Sequence, residues 1–201
     1  EAYARGGFAS LVLDGKRQLV GEYGPGSAYW AAQPGGIDPA VSDAVQSSLL
    51  DLARHHHSLA QQGGDAAERD AAVRWYRAYL EGFDATPLAP ATRLLLADLL
   101  FEGRRFEEAA GEYERAAYGY AENPDAGRAA YAALVSYAEA DALVPQARRA
   151  ELAGRAVESS LRFADTFPAR PEVPGVLTRT TKALFDAGDR VRAESVAQRV
   201  L

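Results

Sequence analysis

The 201-residue chain contains no cysteine, which excludes disulfide bonds, thiol catalysis and thiolate metal sites. Methionine is also absent, even at position 1, so we expect the chain to be an excised or processed piece of a longer protein. No apolar run approaches the roughly 18–20 residues of a membrane span, and no signal-peptide pattern opens the sequence. These absences fit the cytoplasm and, if an export signal has been removed, the periplasm.

Positive charge is scarce and scattered, since 22 lysines and arginines stand against 28 aspartates and glutamates and give a net charge of −6. Nucleic acids and anionic membrane surfaces require clustered positive charge, so both are disfavoured as partners. The sequence does have 48% hydrophobic residues, 25% charged residues and abundant alanine. This composition favours a folded, helix-rich chain.

A spacing pattern recurs along the chain, with a small residue at offset 0, aromatic residues at offsets 4 and 11, and proline at offset 15. The three copies are Ala72, Tyr76, Phe83 and Pro87; Ala109, Tyr113, Tyr120 and Pro124; and Ala156, Ser160, Phe167 and Pro171. Ser160 departs from the pattern by replacing an aromatic residue, and a truncated fourth copy starts at Ala193 and Ala197. Offsets 0, 4 and 11 share one face of an α-helix, and proline marks the turn that follows it. Each copy therefore predicts the second helix of a hairpin.

Apolar segments that precede these copies predict the first helices of the hairpins, at 41–62, 91–103, 128–141 and 176–188. The predicted fold is all-α and forms one repeat array over 1–201, with hairpins at about 1–23, 41–84, 90–122, 126–168 and 174–201. The anchor alanines are 37, 47 and 37 residues apart, which predicts insertions within some units. The glycine- and proline-rich stretch 24–39 is predicted to be an irregular loop. Its Tyr29 and Trp30 are expected to pack on the array, with a ligand-binding tryptophan as the alternative.

Several of these residues resemble the tetratricopeptide repeat pattern of a large–small pair followed by aromatic and alanine positions. The resemblance is carried by Leu96, Ala97, Leu100, Phe106, Ala109, Tyr113 and Ala116, and in the last unit by Leu177, Leu184, Gly188, Ala193 and Ala197. Gly103 lies one place before the usual turn glycine of the pattern. The resemblance implies a right-handed superhelical solenoid of antiparallel helix hairpins.

Two phrases, AAVRWYRAYLEGF at 71–83 and FEEAAGEYERAAYGY at 106–120, resemble repeats in large tetratricopeptide proteins of the Gram-negative bacterial envelope. They are also similar to the repeat lipoprotein of the outer-membrane barrel assembly machine. The resemblance implies a protein that holds other envelope proteins, with a periplasmic or envelope-associated location and a cytoplasmic one as the alternative. Additional repeats are expected upstream in the full-length chain.

The three histidines of the chain, His55, His56 and His57, are consecutive, so on a helix they point about 100° apart and cannot converge on one metal ion. Asp51 and His55 have helical i, i+4 spacing and form at most a weak two-ligand site. The many carboxylates are expected to pair with nearby arginines on solvated helix faces. We therefore predict no metal, no cofactor and no enzymatic activity, against the alternative of a hydrolase or metal-dependent enzyme built on helical repeats.

The resemblance also implies a partner-binding groove on the concave face, lined by fixed positions of the first helices. Carried over one by one, these positions are Leu50, Arg54, His57, Leu94, Asp98, Phe101, Arg128, Tyr131, Val135, Thr178, Lys182 and Phe185. Interleaved apolar and charged groups suit a peptide or partner protein. The predicted function is a protein–protein interaction scaffold. The alternative is a structural spacer within a longer envelope protein, with an empty groove or one filled by the Tyr29–Trp30 loop.

Overall fold

The computed structural model describes residues 9–33 and 35–200. Helices make up most of these residues and no strand occurs among them, so the all-α prediction is confirmed for the described part of the chain. No helix within these two ranges is both long and apolar enough to cross a membrane. Residues 1–8 of the hairpin predicted at about 1–23 lie outside the described residues.

Ten helical segments run through the described residues. They are α1 (Ala9–Tyr23), α2 (Ala28–Ala31), α3 (Pro39–Gly63), α4 (Ala66–Phe83), α5 (Ala89–Glu102), α6 (Phe106–Tyr118), α7 (Ala126–Asp141), α8 (Gln146–Thr166), α9 (Val173–Asp186) and α10 (Arg190–Ala197). The predicted anchor alanines all lie in the second helix of a pair, namely α4, α6, α8 and α10.

Side-chain caps and glycine fix the ends of several helices. The carboxylate of Asp38 accepts hydrogen bonds from the backbone N–H groups of Ala40 and Val41, and Pro39 occupies the first position of α3. The helix therefore starts two residues before its predicted position. It ends where Gly64 adopts a φ of 66°, and Asp65 then caps α4 through the N–H of Ala67.

The chain divides into two compact units, 1–99 and 100–201, and the boundary falls inside α5. In the first unit, α3 packs against α4, and α1 packs against α3. The core of this unit is fully buried at Leu49, Leu52, Ala72, Tyr76 and Tyr79. Residues three or four positions apart lie on the same face of a helix. The buried residues of α3 therefore share one face, those of α4 share another, and the two faces pack against each other.

The stretch between α1 and α3 is not wholly irregular, because the hydroxyl of Ser27 caps the four-residue helix α2 by accepting a hydrogen bond from the N–H of Trp30. The ring of Trp30 packs edge-on against Phe83, with 5.6 Å between ring centroids. Gly82 permits Pro25 to approach α4 beside this contact, since a Cβ at Gly82 would lie 2.4 Å from Cγ of Pro25. The Tyr29–Trp30 loop is thus seated on the C-terminal end of α4.

In the second unit, consecutive helices from α6 to α10 pack on one another. Helices α7 and α8 are antiparallel. Tyr131 of α7 lies beside Phe163 of α8, and Tyr137, six residues further along α7, contacts Arg155, which lies eight residues before Phe163. A core cluster joins α6, α7 and α8 around Phe106, Ala110, Tyr137, Ala140, Val144 and Leu152. Burial of these faces against each other is the main stabilising contribution to the unit.

The wide spacing of 47 residues between two anchor alanines has a structural cause in α8. Helix α8 starts ten residues before Ala156, whereas α6 and α10 start only three residues before Ala109 and Ala193. The extra two turns bury Leu152 in the core cluster. They also carry Arg148, which donates a 2.7 Å hydrogen bond to Glu107 of α6.

The turn between α5 and α6 contains a strained residue, Arg104, whose φ is 59°. Its N–H bonds the carbonyl of Phe101, and the next N–H bonds the carbonyl of Leu100. The turn between α9 and α10 repeats this pattern with Gly188 at a φ of 83°. Because the glycine at 103 stands one place too early, a residue with a Cβ occupies the left-handed position.

We therefore expect Arg104→Gly to raise the free energy of unfolding by about 0.5–1 kcal/mol, because relief of the left-handed strain outweighs the added freedom of the unfolded chain. The matched change Gly188→Arg should lower it by about 1 kcal/mol. Urea unfolding followed by circular dichroism measures both. An unchanged or lower stability for Arg104→Gly would show that Arg104 is not strained.

Candidate functional site

The predicted groove residues of the first unit have different environments. Leu50 and Leu94 are each 5% exposed and belong to the hydrophobic core. Arg54 is exposed, whereas His57 and Asp98 are half-buried. Of the five predicted positions in this unit, three therefore present polar groups at the surface.

His57 is held by a hydrogen-bonded arrangement between α3 and α4. Its Nδ1 lies 3.1 Å from the hydroxyl of Tyr76, and its Nε2 lies 3.1 Å from Nε2 of Gln61. Burial raises the pKa of Tyr76 to about 12, against a smaller opposing effect of Arg54. The neutral tyrosine is thus favoured in the folded protein, and this contribution to stability is lost as the pH rises above 10.

Two of the side chains considered as metal ligands, His56 and Asp51, contact side chains of neighbouring helices. His56 Nδ1 lies 2.5 Å from Oε2 of Glu68, which joins α3 to α4, and Asp51 is hydrogen-bonded to the ammonium group of Lys16 in α1. Among the residues that the structure describes, no group of three or more histidine, aspartate or glutamate side chains is arranged to hold a metal ion. Carboxylates of α6 pair with arginines three residues away, as in Glu108 with Arg105 and Glu112 with Arg115.

In the second unit, four predicted groove residues do meet. Phe101, Arg128, Tyr131 and Val135 line a pocket of about 260 Å³, which Tyr113 and Ala132 complete. Phe101 also packs edge-on against Phe106, with 5.0 Å between ring centroids. We call this the α7 pocket.

A larger cavity of about 490 Å³ lies between α7, α8 and α9, and we call it the three-helix cavity. It shares Tyr131 and Val135 with the α7 pocket. The remaining lining residues are Leu134, Tyr137, Ala138 and Asp141 of α7, Leu152, Ala153, Ala156, Val157 and Ser160 of α8, and Val176, Arg179, Thr180 and Ala183 of α9. Most of this surface is apolar, and its volume falls in the range of ligand-binding sites.

The origin of the three-helix cavity lies in the departure of one repeat copy from the pattern. Tyr76 and Tyr113 fill the aromatic position of the first two copies and are nearly or fully buried. Ser160 occupies that position in α8 and lines the cavity instead. Since a hydroxymethyl group replaces a phenol ring, the space between the three helices is left unfilled.

Three predicted residues of α9, Thr178, Lys182 and Phe185, are exposed and line neither the α7 pocket nor the three-helix cavity. Lys182 instead pairs with Asp186, and Phe185 is 60% exposed. Successive side chains of a helix point about 100° apart. A shift of one position in the alignment with the repeat pattern therefore selects residues on a different face of the helix. Sequence reasoning therefore missed the cavity-lining face of α9.

Two charged side chains border the three-helix cavity. Arg179 lies in the second turn of α9, and Asp141 is the last residue of α7. Neither makes an ion pair or a side-chain hydrogen bond with another described residue, although most arginines of this unit do. The cavity thus combines an apolar interior with one cation and one anion at its edge.

Comparison with models of known protein families gave no match, and comparison with curated proteins found none with significant similarity. The function proposed for this chain therefore rests on the geometry of the site and on the sequence pattern.

Tyr76 and Tyr118 have equally raised pKa values, but their hydroxyl groups differ in hydrogen bonding. Burial also raises the pKa of Tyr118 to about 12, but its buried hydroxyl has no hydrogen-bond partner among the described residues, whereas that of Tyr76 bonds His57. We expect Tyr118→Phe to leave the free energy of unfolding unchanged or raise it by up to about 1 kcal/mol, because an unsatisfied buried polar group is removed.

Tyr76→Phe should instead lower the free energy of unfolding by about 1 kcal/mol, because it removes the hydrogen bond between the Tyr76 hydroxyl and Nδ1 of His57. Guanidinium unfolding of both variants tests this contrast. A larger loss for Tyr118→Phe than for Tyr76→Phe would contradict it.

Proposed function

We propose that this chain is a tetratricopeptide-like module of stacked helix hairpins that binds a partner protein, and that the three-helix cavity of its second unit receives an apolar side chain of that partner. The proposal includes the right-handed solenoid and the envelope location expected from the sequence resemblance. Binding would involve no bond chemistry.

The register of the second helices supports the repeat interpretation. Arg192 of α10 donates a 2.6 Å hydrogen bond to Glu158 of α8, and Arg199, beyond the end of α10, donates a 2.5 Å hydrogen bond to Asp165. Both pairs are 34 residues apart, which is the length of one tetratricopeptide unit. Two pairs with the same offset mean that α8 and α10 run parallel, as the second helices of two successive hairpins would. These exposed ion pairs add little to the free energy of unfolding, but they indicate how α8 and α10 are aligned along their lengths.

The observation that carries the functional proposal is the three-helix cavity itself. Ala138, Ala156 and Ala183 lie on three different helices and leave room between them, while Leu134 and Val176 provide apolar walls. An apolar side chain that enters such a cavity exchanges water contact for packing on several sides, which is typical of the anchor residues that dominate binding energy.

The spacer interpretation makes a different use of the same fold. It predicts an empty groove or one filled by the Tyr29–Trp30 loop, and Trp30 lies on Gly82 and Phe83 of α4. This placement gives no support to the filled-groove form of the spacer interpretation, and we retain partner binding as the proposed function because of the three-helix cavity.

The test closes the cavity without removing a charge. Ser160→Tyr restores the aromatic residue of the other copies and should reduce recovery of a native partner from a lysate of the source organism at least about tenfold, because the anchor loses its space. Ser195→Tyr is the matched control, because Ser195 is an exposed serine of α10 that does not line the cavity.

Ala183→Arg, at an exposed alanine on the rim of the cavity, blocks it independently. The proposal predicts loss of the partner with both cavity variants and retention with Ser195→Tyr, measured by quantitative mass spectrometry of the bound fraction. Equal recovery by all three variants, or no protein recovered above beads alone, would contradict it.

A further inference from the structure

We propose that the three-helix cavity selects an anchor that carries a carboxylate next to its apolar group, and that Arg179 is the residue that recognises this carboxylate. This inference rests on the proposed function, since it specifies the chemistry of the partner segment that enters the cavity.

The first line of evidence is the pairing of the arginines in the second unit. Arg128 pairs with Asp125, Arg155 with Glu107, and Arg170 with Glu172. Arg179 has no such partner among the described side chains, although it borders the largely apolar three-helix cavity. In a chain with a net charge of −6, acidic groups are plentiful, so the absence of one beside Arg179 leaves its guanidinium available to a ligand.

The second line of evidence is the position of Arg179 relative to the apolar walls. It lies one turn beyond Val176 and one turn before Ala183 on the same face of α9, and all three line the cavity. A side chain inserted between Val176 and Ala183 therefore brings its neighbouring residue close to the guanidinium. Guanidinium and carboxylate groups form paired, charge-assisted hydrogen bonds, which are stronger where the apolar walls exclude water.

Asp141 gives the site a direction. Helix α8 is antiparallel to α7, and it runs parallel to α10, the antiparallel partner of α9, so α7 and α9 run the same way. Arg179 lies near the middle of α9, between Val176 and Ala183, whereas Asp141 is the last residue of α7, so the two charges border different parts of the cavity. A carboxylate is attracted beside Arg179 and repelled beside Asp141.

The experiment uses small probes in place of the unidentified partner. N-acetyl-Phe-Glu-amide is compared with N-acetyl-Phe-Gln-amide, which has the same shape without the charge, and with N-acetyl-Ala-Glu-amide, which lacks the apolar ring. Binding to the ¹⁵N-labelled full chain is followed through the amide signals of Ala138, Ala156 and Ala183 at low salt, where exposed charges are least screened.

We expect the Phe-Glu probe to bind about two- to fivefold more tightly than the Phe-Gln probe, as one surface ion pair would give, and the Ala-Glu probe to cause no shift. Arg179→Gln should abolish the preference for glutamate, and Arg179→Lys should restore part of it. Arg190→Gln is the matched control and should leave the preference unchanged, because Arg190 is also exposed and forms no ion pair with a described residue but lies outside the cavity.

The outcomes separate this inference from the proposed function. Equal binding of the Phe-Glu and Phe-Gln probes, or a preference that survives Arg179→Gln, would overturn the role of Arg179 while leaving the apolar anchor site intact. If neither phenylalanine probe shifts the signals of the cavity alanines, both this inference and the proposed anchor site are overturned.

Discussion

The fold depends on the close packing of helix faces in which alanine and an aromatic residue alternate at a spacing of four. Alanine lets a neighbouring helix approach, and the aromatic ring one turn later fills the space that the approach leaves. Ala72 with Tyr76 in α4, and Ala109 with Tyr113 in α6, are buried in this way. Isolated helices as short as the 13-residue α6 are marginal in water, so this packing stabilises such helices as well as the units they form.

The proposed site follows from one interruption of that packing. In α8 the pair is Ala156 with Ser160, and both line the three-helix cavity instead of a filled core. A serine at this position leaves the space of a missing ring, while the longer N-terminal part of α8 keeps the helix in place through Leu152 and Arg148. Stability and a vacant apolar cavity can thus coexist, because the added turns of α8 supply contacts that the lost aromatic residue would have made.

Much of the fold could be predicted from the sequence because the repeat spacing constrains it several times over. The anchor alanines, the prolines after them and the turn glycine Gly188 all agree on the same hairpins. The sequence indicated the strain at Arg104 only through Gly103, which stands one place before the usual turn glycine. The short helix α2 depends on a single cap by Ser27. Local hydrogen bonds of this kind are not determined by periodicity.

The site was less predictable. Tyr131 and Val135 of α7 line the same cavity, but Leu50 and Leu94 are buried, and the cavity-lining face of α9 carries Arg179 and Ala183. Positions carried over from a regular repeat cannot anticipate a cavity that arises from an irregular one. The informative signal was Ser160 itself, a departure from the pattern that marks where the packing is incomplete.

The most direct measurement is the free energy of unfolding of Ser160→Tyr relative to the native chain. If the space between α7, α8 and α9 is the vacancy of a missing aromatic ring, the tyrosine should fill it and raise stability by about 0.5–2 kcal/mol, while Ser195→Tyr changes it by less than about 0.5 kcal/mol. A loss of about 1 kcal/mol or more for Ser160→Tyr would mean that the ring is forced into packed side chains, and that the cavity does not exist as described.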